Sequence, residues 1–367
     1  MTLANIPASL GYYPTDSLVL VHWREHDSEV TPTGARGQLS SGPIVRIDID
    51  NSEGLAASME VFETFDSDLL TACWIGEPSP AQQRELEALC AHHGVCLTAC
   101  WQVSDIAVGN PIAALYLDTA TIRRIFGHAH DTTCSDDRVS AGVVGSIIDS
   151  QSMRELSLCG EIPALSKQEA CEFIPPDPAN EQTTATCFAH AEAFIKILRA
   201  HSDLVAPAVV ALGDLLAQKP ECSLVQPLGP LPDDESNLHR LAAIEWVAMW
   251  LAHTSLRDIC IAEFLRYPVS SREWALKIAA NYTGHIRANA FCVYSLCVAE
   301  SALTYRIPFC LRVAEQESPN HGLTGLLIRG YEMGKIEKLV AGAIEGSKEM
   351  KAWAQSGDAF GNAGLLN

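Results

Sequence analysis

Leu69–Gly76 (LLTACWIG) and Cys96–Val103 (CLTACWQV) share the pentapeptide Leu-Thr-Ala-Cys-Trp at a separation of 27 residues. Short apolar runs bounded by turn residues read as buried strands. Between the two copies, Ser79 is placed to cap a helix, with Pro80 at its first position and Gln82 closing a capping box. Gly94 suits the end of that helix. A strand, a helix and a second strand joined over this distance favour a parallel pair with a right-handed crossover. The first half of the chain therefore reads as an α/β domain with a small, largely parallel sheet built on this βαβ unit.

Working outward, Ser17–Trp23 (SLVLVHW) and Pro43–Asp50 (PIVRIDID) are further β-branched runs. The Thr31-Pro32-Thr33-Gly34 segment between them, with Gly37 and Gly42, reads as a hairpin-like loop. Ala113–Leu117 adds an edge strand. Ser166-Lys167-Gln168-Glu169 is a second capping box, opening a short helix that Pro175-Pro176 ends. Three prolines in the four residues Pro175-Pro176-Asp177-Pro178 continue neither helix nor central strand, which places the domain boundary there.

Beyond the prolines the apolar period changes to that of helices, through Phe188, Phe194, Ile195 and Leu198, then Leu238, Leu241, Ile244, Val247 and Leu251. Asn289–Glu300, Ala302–Glu317 and Gly322–Met333 read as helices, forming a tetratricopeptide-like hairpin over 289–333. One pair is below the roughly three repeats a solenoid needs, so the reading is an all-α helical-hairpin domain. The expected layout is an acidic α/β domain over 1–176, a helical domain over 177–345 and a flexible, glycine-containing tail over 346–367.

Of the 367 residues 48% are hydrophobic and 19% charged, the composition of a folded chain. Residues 1–180 hold 25 Asp/Glu against 9 Lys/Arg, a net of −16, whereas residues 181–367 hold 20 against 16, a net of −4. An acidic surface repels phosphate backbones and anionic headgroups, which argues against nucleic acid and membrane as partners and for a protein with a basic surface. The 13 cysteines sit mostly in apolar runs, as free thiols do in a reducing compartment, so a cytoplasmic location is expected. The stretches 204–217 and 241–252 are broken by Pro207, Asp214 and Glu245, short of the ~20 apolar residues that span a bilayer.

Two groups of residues suggest binding chemistry. His128, His130, Asp131 and Cys134 carry the donor types of a zinc site, with both imidazoles on one side of an extended segment. Asp48 and Asp50 share one face at a strand end, near the turn from Gly11 through Asp16 to Ser17, where a ligand at the carboxyl edge of a parallel sheet would be met. Cys90, His92, His93, Cys96 and Cys100 are split between a helix and the following strand, which suits packing. Cys73 and Cys100 hold equivalent places in the repeated pentapeptide and are expected side by side, a redox pair only if a thiolate is exposed. No phosphate-binding loop, dinucleotide fingerprint, nucleophile elbow or zincin motif is present, and the residues name no cofactor.

The opening Ile6-Pro7-Ala8-Ser9-Leu10-Gly11-Tyr12-Tyr13-Pro14-Thr15-Asp16-Ser17, running into a Leu/Val strand, resembles an actinobacterial family known as domain of unknown function 4192. The resemblance continues through Val45-Arg46-Ile47-Asp48, through Leu256-Arg257-Asp258 and through the helix pair from Ala290 to Leu327, where Glu317-Ser318-Pro319-Asn320-His321 matches the family's turn. Ala299-Glu300-Ser301 replaces the usual glycine-rich break, and Pro308 is expected to interrupt the helix that follows. The resemblance implies no activity and carries over no catalytic residue. Two functions follow as expectations: a protein-interaction or regulatory module without standard catalytic signatures, or a small-molecule or metal-binding α/β enzyme with its site at the sheet edge.

Overall fold

A computed structural model describes residues 3–26, 38–63, 69–118, 142–176, 181–220, 224–225 and 241–356. The chain divides into two compact units, Met1–Ala170 and Cys171–Asn367.

In the first unit a short helix, α1 (Ile6–Leu10), precedes the strands β1 (Ser17–His26) and β2 (Gln38–Asp48). There follow α2 (Ser52–Glu63), β3 (Leu69–Ile75), α3 (Pro80–His92), β4 (Leu97–Val103), β5 (Ala113–Leu117) and α4 (Gln151–Leu158). The sheet order is β2-β1-β3-β4-β5. Only β3 and β4 run parallel; β1 pairs antiparallel with both β2 and β3, and β5 antiparallel with β4. The sheet is therefore mixed, which corrects the expectation of a largely parallel one. One crossover helix makes one parallel pair, while the short link from Val103 to Ala113 leaves no room for a second crossover.

The capping box forms: Ser79 Oγ accepts the Gln82 amide at 3.3 Å and the Gln82 side chain accepts the Ser79 amide at 2.7 Å. The other end of the Gln82 amide donates to the Ile49 carbonyl at 2.7 Å, tying the start of α3 to the end of β2. Strand β1 is apolar on both faces. Leu18 and Leu20 join Trp74, Phe62, Met59 and Leu86 beneath α2 and α3, while Val19 and Val21 join Cys73, Ile75, Val103, Val144 and Ile147 on the opposite side. Such two-sided burial is why the strand reads as a continuous apolar run.

Cys73 and Cys100 are not side by side. A register shift between Leu70 and Thr71 sets Ala72 against Cys100 and Cys73 against Trp101, so the two thiols fall on opposite faces of the sheet. Burial pushes each of them up to about 12, where neither is a nucleophile. Ser166 caps Glu169 at 3.1 Å as expected, yet only the single 3-10 turn Glu169–Cys171 follows.

The second unit contains α5 (Glu181–Ala200), α6 (Val205–Leu216) and a two-stranded antiparallel ladder of β6 (Leu224–Val225) and β7 (Leu241–Ala242). The remaining elements are α7 (Ala243–Ala252), α8 (Thr254–Arg266), α9 (Pro268–Ala279), α10 (Gly284–Val298), α11 (Ile307–Glu317), α12 (Gly322–Glu332) and α13 (Ile336–Gln355). Among the described residues the regular structure of this unit is helical but for that short ladder. Every residue of α10 from Ile286 to Val298 is buried, so it forms the axis of the bundle.

Three boundaries differ from the sequence reading. Helix α10 begins at Gly284, five residues before Asn289. Pro308 lies in the first turn of α11, where its missing N–H costs no hydrogen bond, so it starts the helix rather than interrupting it. Helix α13 runs to Gln355 through part of the expected tail, because Ser347 is buried against α8, accepting the Ala262 amide at 3.1 Å and donating to the Ile259 carbonyl at 3.0 Å. Between α10 and α11 the break needs no glycine: Ser301 Oγ donates to the Val298 carbonyl at 2.9 Å and accepts the Leu303 amide at 3.2 Å. Among the described residues no helix is long and apolar enough to cross a membrane.

Candidate functional site

The N-terminal turn is held by main-chain pairing. Gly11, in the left-handed region at φ 77, ends α1, and its carbonyl accepts the Ala164 amide at 2.9 Å while Tyr13 donates back to the Ala164 carbonyl at 3.0 Å. Asp16, exposed and with φ 41, accepts the Ile49 amide on its carbonyl at 2.9 Å. Ser17 is buried; its hydroxyl donates to the Thr15 carbonyl and accepts Arg46 Nε at 2.8 Å. Arg46 in turn pairs with Asp48 at 2.6 Å.

Asp16, Ser17 and Asp48 thus meet where β1 starts and β2 ends, level with the carboxyl ends of the parallel strands β3 and β4. Asp50 is exposed in the turn that follows, and Gly11 is tied to Ala164 instead. Beside Asp48 lies a recess of about 10 Å³ lined by Asn51, Ser52, Trp74, Gln82 and Glu85, room for about one water molecule. Arg46 spends its charge on Asp48 and its Nε on Ser17, so the chemistry at this edge is that of a satisfied strand end.

His128, His130, Asp131 and Cys134 lie outside the described residues. Among the described residues no group of three or more His, Cys, Asp or Glu is arranged to hold a metal ion.

The densest polar assembly is in the second unit, around Arg257 in the first turns of α8. Its Nη1 donates to Asn289 Oδ1 at 2.8 Å and approaches His321 Nε2 at 3.3 Å. Nε donates to Asp258 at 2.8 Å, and Nη2 faces the same carboxylate oxygen at 2.6 Å. Asn289 passes the connection on, donating to the Leu251 carbonyl at the end of α7 at 2.8 Å. The imidazole of His321, at the N-cap of α12, meets Thr324 Oγ1 at 2.8 Å, and Thr324 Oγ1 lies 3.2 Å from Cys292 Sγ in α10. His285, in the first turn of α10, stands edge-on to His321 with ring centres 4.7 Å apart. His253 completes the group by capping α8, accepting the Ser255 amide at 3.3 Å.

A guanidinium has no acceptor, so His321 Nε2 must be unprotonated to receive it. The proton of the neutral ring then sits on Nδ1 and is donated to Thr324 Oγ1, whose own proton is free to point at Cys292 Sγ. With the proton on Nδ1 the Thr324 amide, 3.4 Å away, faces a donor and makes no bond to the ring, so this tautomer keeps the Arg257 and Thr324 hydroxyl contacts at the expense of that capping bond. Burial, then His285, then Arg257 pull His321 down to about 4. His285 is lowered by burial, with Arg257 and His253 adding to it, and His253 by burial and Arg199. All three rings are therefore neutral at neutral pH. Burial pushes Cys292 up to about 11, so it is a packed thiol rather than a nucleophile.

A neighbouring pair of arginines straps down the start of this unit. Buried Arg287 donates to the Pro175 carbonyl at 2.9 Å and meets Glu317 at 3.4 Å, while Glu317 accepts the first amide of α10, on Gly284, at 2.7 Å. Arg306 lies 4.5 Å from the centre of the Phe173 ring and donates to Tyr294 at 3.1 Å. Proline carbonyls, left without helix partners, supply the acceptors here.

Residue-type patterns did not point to this assembly. Arg257, Asn289 and His321 are separated by 32 residues at each step, a spacing no local motif encodes, and placing the start of α10 at Asn289 hides His285. The signal that existed was the pair of segments Leu256-Arg257-Asp258 and Glu317–His321, which the fold brings together.

Fold and site define a class: a mixed five-stranded α/β unit followed by a helical unit whose polar centre is a closed arginine, asparagine and histidine network. Residues 2–335 match the family described as Domain of unknown function (DUF4192), and the chain belongs to that family. No curated protein and no solved structure gives a significant match.

Proposed function

We propose that the protein is an interaction or regulatory module without a catalytic site of its own, whose acidic first part, up to the prolines at 175–178, binds a partner protein with a basic surface in the cytoplasm. The observation that carries this reading is a run of exposed apolar side chains in an acidic setting. Leu158 is 88% exposed, and Ile148, Ile162 and Leu165 are exposed in the same segment, where Asp149, Glu155, Glu161 and Glu169 outnumber Arg154 and Lys167. Apolar anchors beside carboxylates suit a partner that presents hydrophobic side chains among Lys and Arg. The net charge of −16 over residues 1–180 would steer such a partner and repel nucleic acid.

The test is cross-linking mass spectrometry on the tagged chain in its native cells, comparing wild type with the double variant Leu158→Asp, Leu165→Asp. The expected result is one protein cross-linked to residues 148–169, weakened by salt and lost in the double variant. A partner that the double variant retains, or an absence of cross-links to this segment, refutes the reading.

A further inference from the structure

We propose that the network joining α8, α10 and α12 is an acid-sensitive latch, in which neutral His321 accepts Arg257 and holds α12 in place, and a second proton on His321 releases it. The proposal is independent of the partner reading above and concerns the helical unit alone.

The geometry sets the polarity of the latch. With Nε2 accepting from Arg257 at 3.3 Å and Nδ1 donating to Thr324 at 2.8 Å, both ring nitrogens are committed. A proton added to Nε2 turns an acceptor into a donor facing another donor, and sets one cation against another at the same 3.3 Å. From α8 the groups facing His321 are Arg257 and, behind it, Asp258 and His253. From α10 they are His285 and Cys292. On α11, Glu317 is held by Arg287 and by the Gly284 amide.

These two carboxylates, on α8 and α11, are thus already engaged. Asp258 pairs with Arg257 on both Nε and Nη2, and Glu317 caps α10. The nearest titratable neighbour, His285, gains charge of the same sign as pH falls. Because His321 sits at the N-cap of α12, where the helix end carries partial positive charge, a protonated ring is also opposed by the helix it caps. Loss of the Arg257 contact frees the only described side-chain link from α8 to the start of α12.

The experiment is hydrogen exchange read by mass spectrometry on the full chain between pH 7 and pH 5, corrected for intrinsic exchange, with α9 as the internal reference. A ring that titrates at about 4 when latched and near 6.5 when released makes opening about 20-fold more favourable across that interval. Amides of residues 322–332 are expected to lose protection by that factor while those of 268–279 keep theirs.

His321→Gln, which retains an acceptor for Arg257 but does not titrate, is expected to keep α12 protected at both pH values. Equal protection of α12 at pH 7 and pH 5 in the wild type overturns the latch. So does an acid response in His321→Gln that matches the wild type. Should that variant fail to fold, proton NMR of the wild-type imidazole decides: a His321 ring that titrates at 6.5 or above while α12 stays protected also refutes it.

Discussion

Each unit contains an arginine paired with a neighbouring aspartate at the same separation, Arg46 with Asp48 and Arg257 with Asp258, both at 2.6 Å. The surroundings differ. The Asp48 side chain is 60% exposed at the end of a strand, whereas Asp258 is 34% exposed and its arginine is buried among Asn289 and His321. An exposed pair competes with water and contributes little, while a buried one leaves several groups unsatisfied if a single member is lost. The same two residue types are therefore an edge feature in one place and a keystone in the other.

That contrast is sharpest if Arg257 is removed. Arg257→Ala strands Asn289 Oδ1, His321 Nε2 and the Asp258 carboxylate together, and is expected to cost the helical unit about 3–5 kcal/mol. Urea unfolding followed by tryptophan fluorescence, in a unit that contains buried Trp246, Trp250 and Trp274, checks it. A loss below about 1 kcal/mol would mean that the network closes up without its arginine.

Acid should separate the two units next. His321 has a folded value of about 4 against an unfolded one of 6.5, so the unfolded chain binds its proton first as pH falls. Stability is full above pH 6.5 and is lost between 6.5 and 4, by about 3 kcal/mol from this group. Calorimetry at stepped pH is expected to show the helical transition falling through that window, with His321→Gln flattening the fall.

In the first unit the largest effect is expected from backbone conformation rather than from the ion pair. Gly76 has φ 104, and a Cβ there would come within 3.1 Å of Asp16 Oδ1, so Gly76→Ala is expected to cost about 1–3 kcal/mol. Asp48→Asn, which removes only the exposed ion pair, is expected to shift the midpoint of unfolding by less than about 1 kcal/mol. If Asp48→Asn proves as damaging as Arg257→Ala, the two arginines are equivalent and the comparison fails.

Where the sequence reading succeeded, the interactions were local. The Ser79 and Gln82 capping box spans three residues, and the edge strand Ala113–Leu117 and the strands of the repeated pentapeptide stand where their composition placed them. It failed where pairing partners are distant. The direction of β1 beside β3 and the register shift at Leu70 decide that the sheet is mixed and that Cys73 and Cys100 face apart. Gly346 reads as a breaker only until Ser347 is seen buried on α8. The candidate edge residues Asp16, Ser17 and Asp48 were legible as neighbours because one hairpin joins them, while His253, His285 and His321 come from three separate helices.

By itself, the sequence determined the strand, helix and strand built on the repeated pentapeptide, the concentration of negative charge in the first half and the proline-rich break between two kinds of periodicity. Those properties depend on side chains a few residues apart and on composition. Tertiary structure alone decided the direction of β1 beside β3, the continuation of α13 and the downward pull on the titration of His321. A register, a buried serine and a neutral imidazole are each fixed by groups tens of residues away, through burial and hydrogen bonds that exist only once the chain has closed on itself.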